Sequence, residues 1–555
     1  MTNSRIIEDR KARCRFWRDE GVYHDIGLAD AFAHAARAHG DTRAIFHSRV
    51  RPSETTVAQA FADTDRLASA FHALGLRAGD RLAIMLPTWQ DTLLAYFAAF
   101  KLGLTVVPIV AIYGAREIGF IMRQTGARGL VIPDMWRGFD YPARVGEAGE
   151  MPDLEYLIVV GDAVPAGAVA WSDLRDHRDT AYPAARVDGD DICTIIYTSG
   201  TTADPKGVMH SHNSLLCEIN AARFAADAAG RDRLEQSGAS AAAGAGPVLS
   251  VFPAGHIASF LTMTRPFLAG GDAVFMDQWI AADAAALIET YGCSATSGTP
   301  VFLSTLIDAA RDTGRDISSL QRFALGASAI TPENIRWTDA LGFPSGRMYG
   351  STEHPLVSAG GSDSFEKRAF TDGKLSQWVE VRILDEQDRD LPPGAEGDIV
   401  VRGPRLFMGY VDSQLDEAAF LPGGWFRTGD IGRLDDEQFL TITDRRKDII
   451  IRGGENISSK EIEDILASLP GVVESAVTAM PDPELGERVC AHVMTSAGTH
   501  IRLEDVQAHF RTLGITRQKI PEHVVLVDDF PRTPSGKIRK NELRDALRRA
   551  AKETP

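Results

Sequence analysis

The sequence predicts an α/β protein, with a large N-terminal α/β domain and a separate small α+β C-terminal domain. Three observations carry this. Short β-like apolar runs alternate with amphipathic helical segments from Ala29 onward. The chain has 555 residues, more than one compact core serves. The composition also changes near TDRRKDIIIRGG (443–454), beyond which a compact α+β pattern begins.

Taken in order, Val57, Phe61, Ala68 and Phe71 fall on one helical face. RLAIMLP (81–87) reads as a buried strand, DTLLAYFAAFKLG (91–103) as a helix and TVVPI as the next strand. Strand-like runs recur at ICTIIY (192–197), VLSVFP (248–253) and AVFMD (273–277), with helices such as AADAAALIETYG between them, so the sheets are expected to be largely parallel. Residues 228–246 are small, polar and glycine-rich and read as a flexible surface loop, with a functional lid as the alternative. In the last part, SSKEIEDILASL opens with a capping box from Ser458 to Glu461. VESAVTAM and RVCAHVM follow as strands, then a helix and VVLVDDF. No repeat of about 20–50 residues is visible.

Apolar content of 44% and charged content of 24% are ordinary for a soluble globular protein. The formal net charge of -17 repels phosphate backbones and argues against nucleic acid as a partner, while leaving room for a local basic pocket. The cysteines at 14, 193, 217, 293 and 490 are scattered without metal-ligand spacing, so inert thiols in a reducing cytoplasm are expected. The opening MTNSRIIEDRKARCRF has no apolar signal region. The longest apolar stretch, Leu102 to Tyr113, is broken by Gly103 and Pro108 and falls short of the roughly 20 residues a bilayer requires.

The strongest chemical signal is YTSGTTADPKGVMHSH (197–212). A strand ends at Tyr197, and a short loop then offers the hydroxyls of Thr198, Ser199 and Thr201, a glycine and Lys206. Hydroxyls and backbone amides donate to phosphate oxygens, and the lysine supplies charge. The loop is not a Walker A motif, because Pro205 stands where glycine is needed and Gly207 where Ser or Thr is needed.

This loop resembles the TSGTTGxPKG element of the adenylate-forming superfamily of acyl-CoA synthetases, luciferases and peptide-synthetase adenylation domains, with Ala203 in place of the second glycine. The resemblance recurs in order through GASAI (326–330), YGSTEHP (349–355), WFRTGD (425–430), DRRKDIIIRGGENISSKEIE (444–463) and PRTPSGKIRK (531–540). It spans about residues 30 to 545. Its details look most like bacterial short- and medium-chain acyl-CoA ligases and cyclohexanecarboxylate-CoA ligases.

The resemblance implies ATP, Mg²⁺ and coenzyme A as cosubstrates and cofactor, and it implies residue roles. Thr198, Ser199, Gly200, Thr201, Thr202 and Lys206 would cradle the β,γ-phosphates. Gly326, Ala327 and Ser328 would lie beside adenine, with Tyr349 stacked on it and Gly350 next in the motif. Thr352 would meet the α-phosphate, Glu353 and Thr201 would hold Mg²⁺, and Asp430 and Arg445 would contact ribose. Lys537 would be the catalytic lysine of adenylation, Lys447 the hinge, and Gly453 and Gly454 the lining of a pantetheine channel. The implied domains are an AMP-binding domain of stacked α/β subdomains at 1–445 and a mobile lid domain at 446–555.

His256, in FPAGHIASF, matches a family position between acyl pocket and adenylate; a satisfied structural histidine is the alternative. The acyl pocket is expected from 253–260, 298–303, 326–328 and Met348, although Met348 could equally be core. No aspartate near 253–260 offers a partner for an amino-acid amine. The tail 539–552 reads as a solvated basic helix face, with CoA phosphates or anionic lipid as alternatives. An acyl-AMP ligase donating to a carrier protein, a light-emitting oxidase and a non-catalytic adenylate sensor remain the rival functions. A homodimer and a lysine acetyltransferase acting on Lys537 are left open as partners.

Overall fold

The computed structural model describes residues 2–198, 205–219, 246–326, 330–361, 363–452, 455–482, 485–496, 498–533 and 536–553. Local chemistry sets the first elements. Helix Val57–Leu74 starts at a reciprocal capping box between Thr56 and Gln59 and stops at Gly75, whose φ of 114° suits only glycine. Helix Gln90–Lys101 is buried all round, as its nearly uninterrupted apolar sequence requires. It crosses between the parallel strands Arg81–Ile84 and Thr105–Pro108.

Those strands lie in an eight-stranded sheet. Val169–Ala170, Tyr156–Val160, Gly129–Pro133, Arg81–Ile84, Thr105–Pro108 and Ile192–Thr198 run parallel. Lys206–Ser211 and Gly409–Tyr410 close one edge antiparallel. A second sheet orders Arg322–Leu325, Ala295–Gly298, Val248–Ser250, Ala273–Met276 and Arg43–His47 in parallel, with Ser53–Thr56 antiparallel at its edge. Each sheet carries its own apolar core, around Phe97, Phe100 and Phe260 for the first and around Ile288, Leu306 and Phe323 for the second.

The expected parallel pairing ends there. Glu380–Leu384, Gly397–Arg402, Trp425–Leu434, Phe420–Leu421 and Leu440–Arg445 form a wholly antiparallel third sheet with a separate core around Val401, Phe407 and Phe426. Its central strand Gly397–Arg402 buries Ile399, Val400 and Val401 in succession, with Val400 in a second small cluster with Leu384 and Trp425.

The C-terminal domain is built on the hairpin Val472–Asp482 and Gly486–Thr495, flanked by Ile450–Arg452, Glu455–Ile457 and the parallel strand His523–Leu526. Its core holds Ile450, Ile462, Leu466, Val477, Val489 and Phe510. The predicted capping box is half present. Ser458 Oγ accepts from Glu461 N, but the Glu461 carboxylate turns to Lys519 Nζ at 2.7 Å. The next free amide, Ser459 N, is taken instead by Asp444 Oδ2 at 2.6 Å, from the preceding sheet. The basic tail is not simply a solvated face either. In helix Lys540–Glu553, Lys540 pairs with buried Glu463 at 2.7 Å, and Arg544 reaches Asp448 at 2.7 Å and the Lys447 carbonyl at 3.2 Å. No helix among the described residues is long and apolar enough to cross a membrane.

Candidate active site

The phosphate-loop residues Ser199, Gly200, Thr201 and Thr202 lie outside the described residues, as do Ala327, Ser328, Gly453, Gly454 and 228–245 of the glycine-rich segment. The base of the phosphate loop is fixed. Thr198 ends its strand directly opposite Lys206 in an antiparallel ladder, so the two share one end of the hairpin. The Lys206 ammonium stands 5.3 Å from the centre of the Tyr410 ring.

Tyr410 connects that hairpin to the YGSTE segment. Its hydroxyl donates to Glu353 Oε1 at 2.8 Å. The Phe407 amide donates to the Glu353 carbonyl, also at 2.8 Å. The Tyr410 hydroxyl is held protonated, first by burial and then by the neighbouring Glu353 charge. On the other side, the Thr352 carbonyl pairs with His210 Nε2 at 2.8 Å. A carbonyl can only accept, so Nε2 carries the proton and Nδ1 is left to accept from Ser214 Oγ at 3.2 Å. Burial lowers the His210 pKa to about 4, which keeps this arrangement neutral. Gly350 makes the turn possible, because a Cβ there would lie 2.1 Å from the Pro355 carbonyl oxygen.

Tyr349, Asp430 and Arg445 form one cluster. Tyr349 Oη donates to Asp430 Oδ2 at 2.5 Å, and Arg445 Nε pairs with Asp430 Oδ1 at 3.1 Å. Strand pairing brings the two charges together, since Asp430 and Arg445 are register partners. Asp430 is 5% exposed, so its charge depends on these donors rather than on water.

Lys537, from the other domain, stands within electrostatic range of Arg445 and Asp430. Its turn is tied by Thr533 N to the Lys537 carbonyl at 2.7 Å and by Lys537 N to Thr533 Oγ1 at 3.1 Å. Gly536 faces the Thr299 methyl of the large domain, 3.7 Å from where a Cβ would stand. The Lys537 pKa falls to about 7, first through burial and then through the positive Arg445; Asp430 pulls the other way. Lys447 is exposed, and its pKa is lowered to about 8 by desolvation and then by Arg445.

Gly326 N donates to the Gly298 carbonyl at 3.1 Å, and the Met348 methyl lies 3.9 Å from a Cβ built on Gly326, so these three expected acyl-pocket positions converge. Met348 is 39% exposed and is therefore not simply core. His256 caps helix Ile257–Ala269, and burial lowers its pKa to about 4. Its Nε2 is enclosed without a hydrogen-bond partner among the described residues.

Two comparisons of the sequence decide the family. The model of the AMP-binding enzyme family matches residues 32–411, and that of the AMP-binding enzyme C-terminal domain matches 461–537. The chain belongs to the AMP-binding enzyme family. It falls in the AMP-forming acyl-CoA synthetase group. It is 33% identical over 557 residues to a medium-chain fatty-acid–CoA ligase of Escherichia coli K12, covering 98% of this chain and 94% of that one. It is 30% identical over 545 residues to a salicyl-AMP ligase/salicyl-S-ArCP synthetase of Mycobacterium tuberculosis, covering 96% and 92%. Among solved structures, ATP-bound MatB from Rhodopseudomonas palustris superposes with a TM-score of 0.80 at 26% identity, over 94% of this chain and 99% of that one.

In this AMP-binding enzyme the sequence reading passed over His210, Tyr410 and Asp444. His210 sits inside the quoted loop motif, so its signal was present. Tyr410 lies 57 positions from Glu353, and strand pairing with the Lys206 hairpin brings it there; Asp444 heads the quoted 444–463 motif, 15 positions before the Ser459 amide that it accepts from.

Proposed function

We propose that this AMP-binding enzyme is an ATP-dependent acid–thiol ligase. It would convert a carboxylic acid to an acyl-adenylate with release of pyrophosphate, then transfer the acyl group to coenzyme A with release of AMP. The observation that supports this best is the seating of the Lys537 turn against Thr299, within electrostatic range of Asp430 and Arg445. A protein that only binds adenylate has no need of a lysine there.

In the first step an oxygen of the acid attacks the α-phosphorus in line, and the bond to pyrophosphate breaks. Negative charge grows on the equatorial oxygens and on the leaving group. Lys537 would meet the first, and Lys206 with Thr198, Ser199, Gly200, Thr201 and Thr202 the second, as preorganised electrostatics rather than covalent catalysis. Tyr349 would stack on adenine next to 326–328, while Asp430 and Arg445 would bind ribose. Among the described residues no group of three His, Cys, Asp or Glu could hold a metal. A single carboxylate, Glu353, with Thr201 as the second ligand the resemblance implies, suits Mg²⁺, which keeps its waters and takes its other ligands from phosphates. The cation would supply charge neutralisation across the phosphates. Thr352 would contact the α-phosphate, and His256, at the mouth of 253–260, would separate the acyl chain from it.

For the second step, the 446–555 domain would pivot at Lys447, withdraw Lys537 and bring Gly453 and Gly454 to line the thiol's approach. A sulfur–carbonyl bond then forms as AMP leaves. Met348 beside Gly326 supports an acid of limited length, as does the medium-chain relative. The salicyl-AMP relative favours the second reading, in which a carrier protein replaces coenzyme A.

The test is pyrophosphate release from MgATP with acids from acetate to palmitate, plus cyclohexanecarboxylate and benzoate, with and without coenzyme A. Sustained release that needs coenzyme A and one acid class supports the ligase. A single-turnover burst unchanged by coenzyme A points to the carrier. No release with any acid counts against both.

A further inference from the structure

Helix Thr2–Asp19 precedes the matched region at 32–411, and the sequence offered no role for it. Its buried face makes an unusual set of contacts. Cys14 and Trp17, with Val22 and Tyr23 just beyond the helix, share a small apolar cluster with Cys217. Around that cluster the helix sends arginines into one loop of the large domain. Arg13 is 7% exposed, and its Nη2 donates to the Phe407 carbonyl at 2.8 Å and lies 3.2 Å from Met408 Sδ. Arg10 donates to Asp416 Oδ2. Arg5 reaches the Phe420 carbonyl at 3.4 Å, and Tyr23 Oη donates to the Pro404 carbonyl.

The targets are not random. Phe407 N holds the Glu353 carbonyl, so Arg13 and Glu353 grip the same residue from opposite ends. Asp416 is almost fully buried, and its Oδ1 accepts from Tyr410 N at 2.9 Å. Tyr410 Oη in turn donates to Glu353 Oε1, and its ring faces Lys206. The path Arg10–Asp416–Tyr410–Glu353 is thus a continuous hydrogen-bonded chain from the helix surface to the carboxylate. The backbone between is built for it. Gly409 has φ 126°, and a Cβ there would fall 2.0 Å from the Arg10 guanidinium. Met408 N and Val411 N bond to Met209 and Gly207 of the hairpin that carries Lys206. Lower on the helix, Arg18 pairs with Asp190 at 2.8 Å and with Asp188, just before the strand that ends at Thr198.

We infer that Arg10 and Arg13 are positioning residues for the metal and triphosphate end of the site, acting through Asp416, Tyr410 and the Phe407 carbonyl. This rests on the reading of Glu353 and Lys206 as the Mg²⁺ and phosphate groups. Burial pushes the Asp416 carboxyl up while Arg10 opposes it. Without Arg10 the carboxyl is freer to protonate, its hold on Tyr410 N weakens, and Glu353 loses its fixed rotamer. Tyr410 is the partner one shell out from Glu353, where removal typically changes affinity or activity about 10–100-fold; Arg10 and Asp416 act through it and carry a smaller share.

The test uses the full-length protein with Arg10→Met, Asp416→Asn and the conservative Arg10→Lys. ATP binding is titrated by calorimetry against Mg²⁺ with no acid present, and circular dichroism and thermal midpoints are recorded alongside. Arg10→Met and Asp416→Asn are expected to raise the Mg²⁺ concentration for half-maximal ATP binding several-fold, up to about tenfold, with Arg10→Lys recovering most of it. In turnover, the KM for the acid should stay unchanged while kcat falls. A folded variant with lowered thermal midpoint but wild-type Mg²⁺ dependence would overturn the inference and leave the helix a structural brace. If Arg10→Met does not fold, Asp416→Asn decides alone, and wild-type Mg²⁺ dependence in it overturns the inference. Failure of the wild-type protein to bind MgATP would overturn the reading of the site itself, and the inference with it.

Discussion

Lys537 combines a conflict of environments with a clear consequence. Burial and Arg445 favour its neutral form and hold its pKa near about 7. The adenylation step uses the ammonium, so kcat/KM, which reports the free enzyme, should fall as pH rises through this value. Lys537→Arg keeps the charge and should push that alkaline limb upward in a pH–rate profile. Lys537→Ala should cost adenylation about 10²–10³-fold, the loss typical of one transition-state donor. Thioester formation from supplied acyl-AMP should survive. Equal loss in both half-reactions would remove Lys537 from its role. Lys537, Glu353, Tyr349, Asp430 and Arg445 could be named from the resemblance of their motifs taken together, since each motif alone reads as a turn or a solvated charge. His210 was harder to see. Its importance comes from a carbonyl 142 positions away, and nothing in VMHSH says which of two histidines finds it.

Among the elements, the turn from Tyr349 to Glu353 is held most tightly. A side chain at Gly350 has no room against Pro355, so Gly350→Ala must shift the backbone that carries Thr352 and Glu353. We expect kcat for pyrophosphate release to drop about tenfold or more, with little change in thermal midpoint, since near-attack geometry is lost before packing is. Unchanged kcat would mean the turn tolerates the shift. The parallel sheets were legible because buried parallel strands are near-continuous apolar runs such as ICTIIY and AVFM. The antiparallel sheet of Glu380–Arg445 was not, because its strands are only half apolar and its partners are set by turns and a bulge between Ile431 and Gly432. The helix cap at Ser458 was read correctly in kind but not in partner. Asp444, a residue of another sheet, accepts from the neighbouring Ser459 amide, while the Glu461 carboxylate pairs with Lys519 and leaves the Ser458 amide.

Over the whole molecule, burial has left several histidines reluctant to charge. His210, His212 and His492 have pKa values lowered to about 4, and His354 to about 3, in each case chiefly by burial. The unfolded chain takes up these protons near the ordinary value of 6.5, so it binds more protons than the native state across this window. Stability should therefore be fully present above about pH 6.5 and decline as pH falls toward 4. Thermal midpoints across that range check this. His212→Asn keeps an acceptor for Leu28 N without titrating, so it should flatten the decline. A slope identical to wild type would exclude His212 as a contributor. The pivot at Lys447 makes a second global prediction. Lys447→Pro should allow the pyrophosphate burst but stall thioester formation, as single-turnover kinetics would record, and unchanged steady-state turnover would refute the pivot. The five cysteines bear on how such a swing could be watched. All are buried, and burial raises their thiols to about 11 at Cys14, to about 12 at Cys217, Cys293 and Cys490, and well upward at Cys193. The native surface offers no thiolate to a maleimide at neutral pH. New cysteines at exposed Glu147 and Ala508, one in each domain, could therefore carry a donor and an acceptor dye without stripping the protein of its own sulfur, so that each turnover could be followed as a change in energy transfer within single molecules.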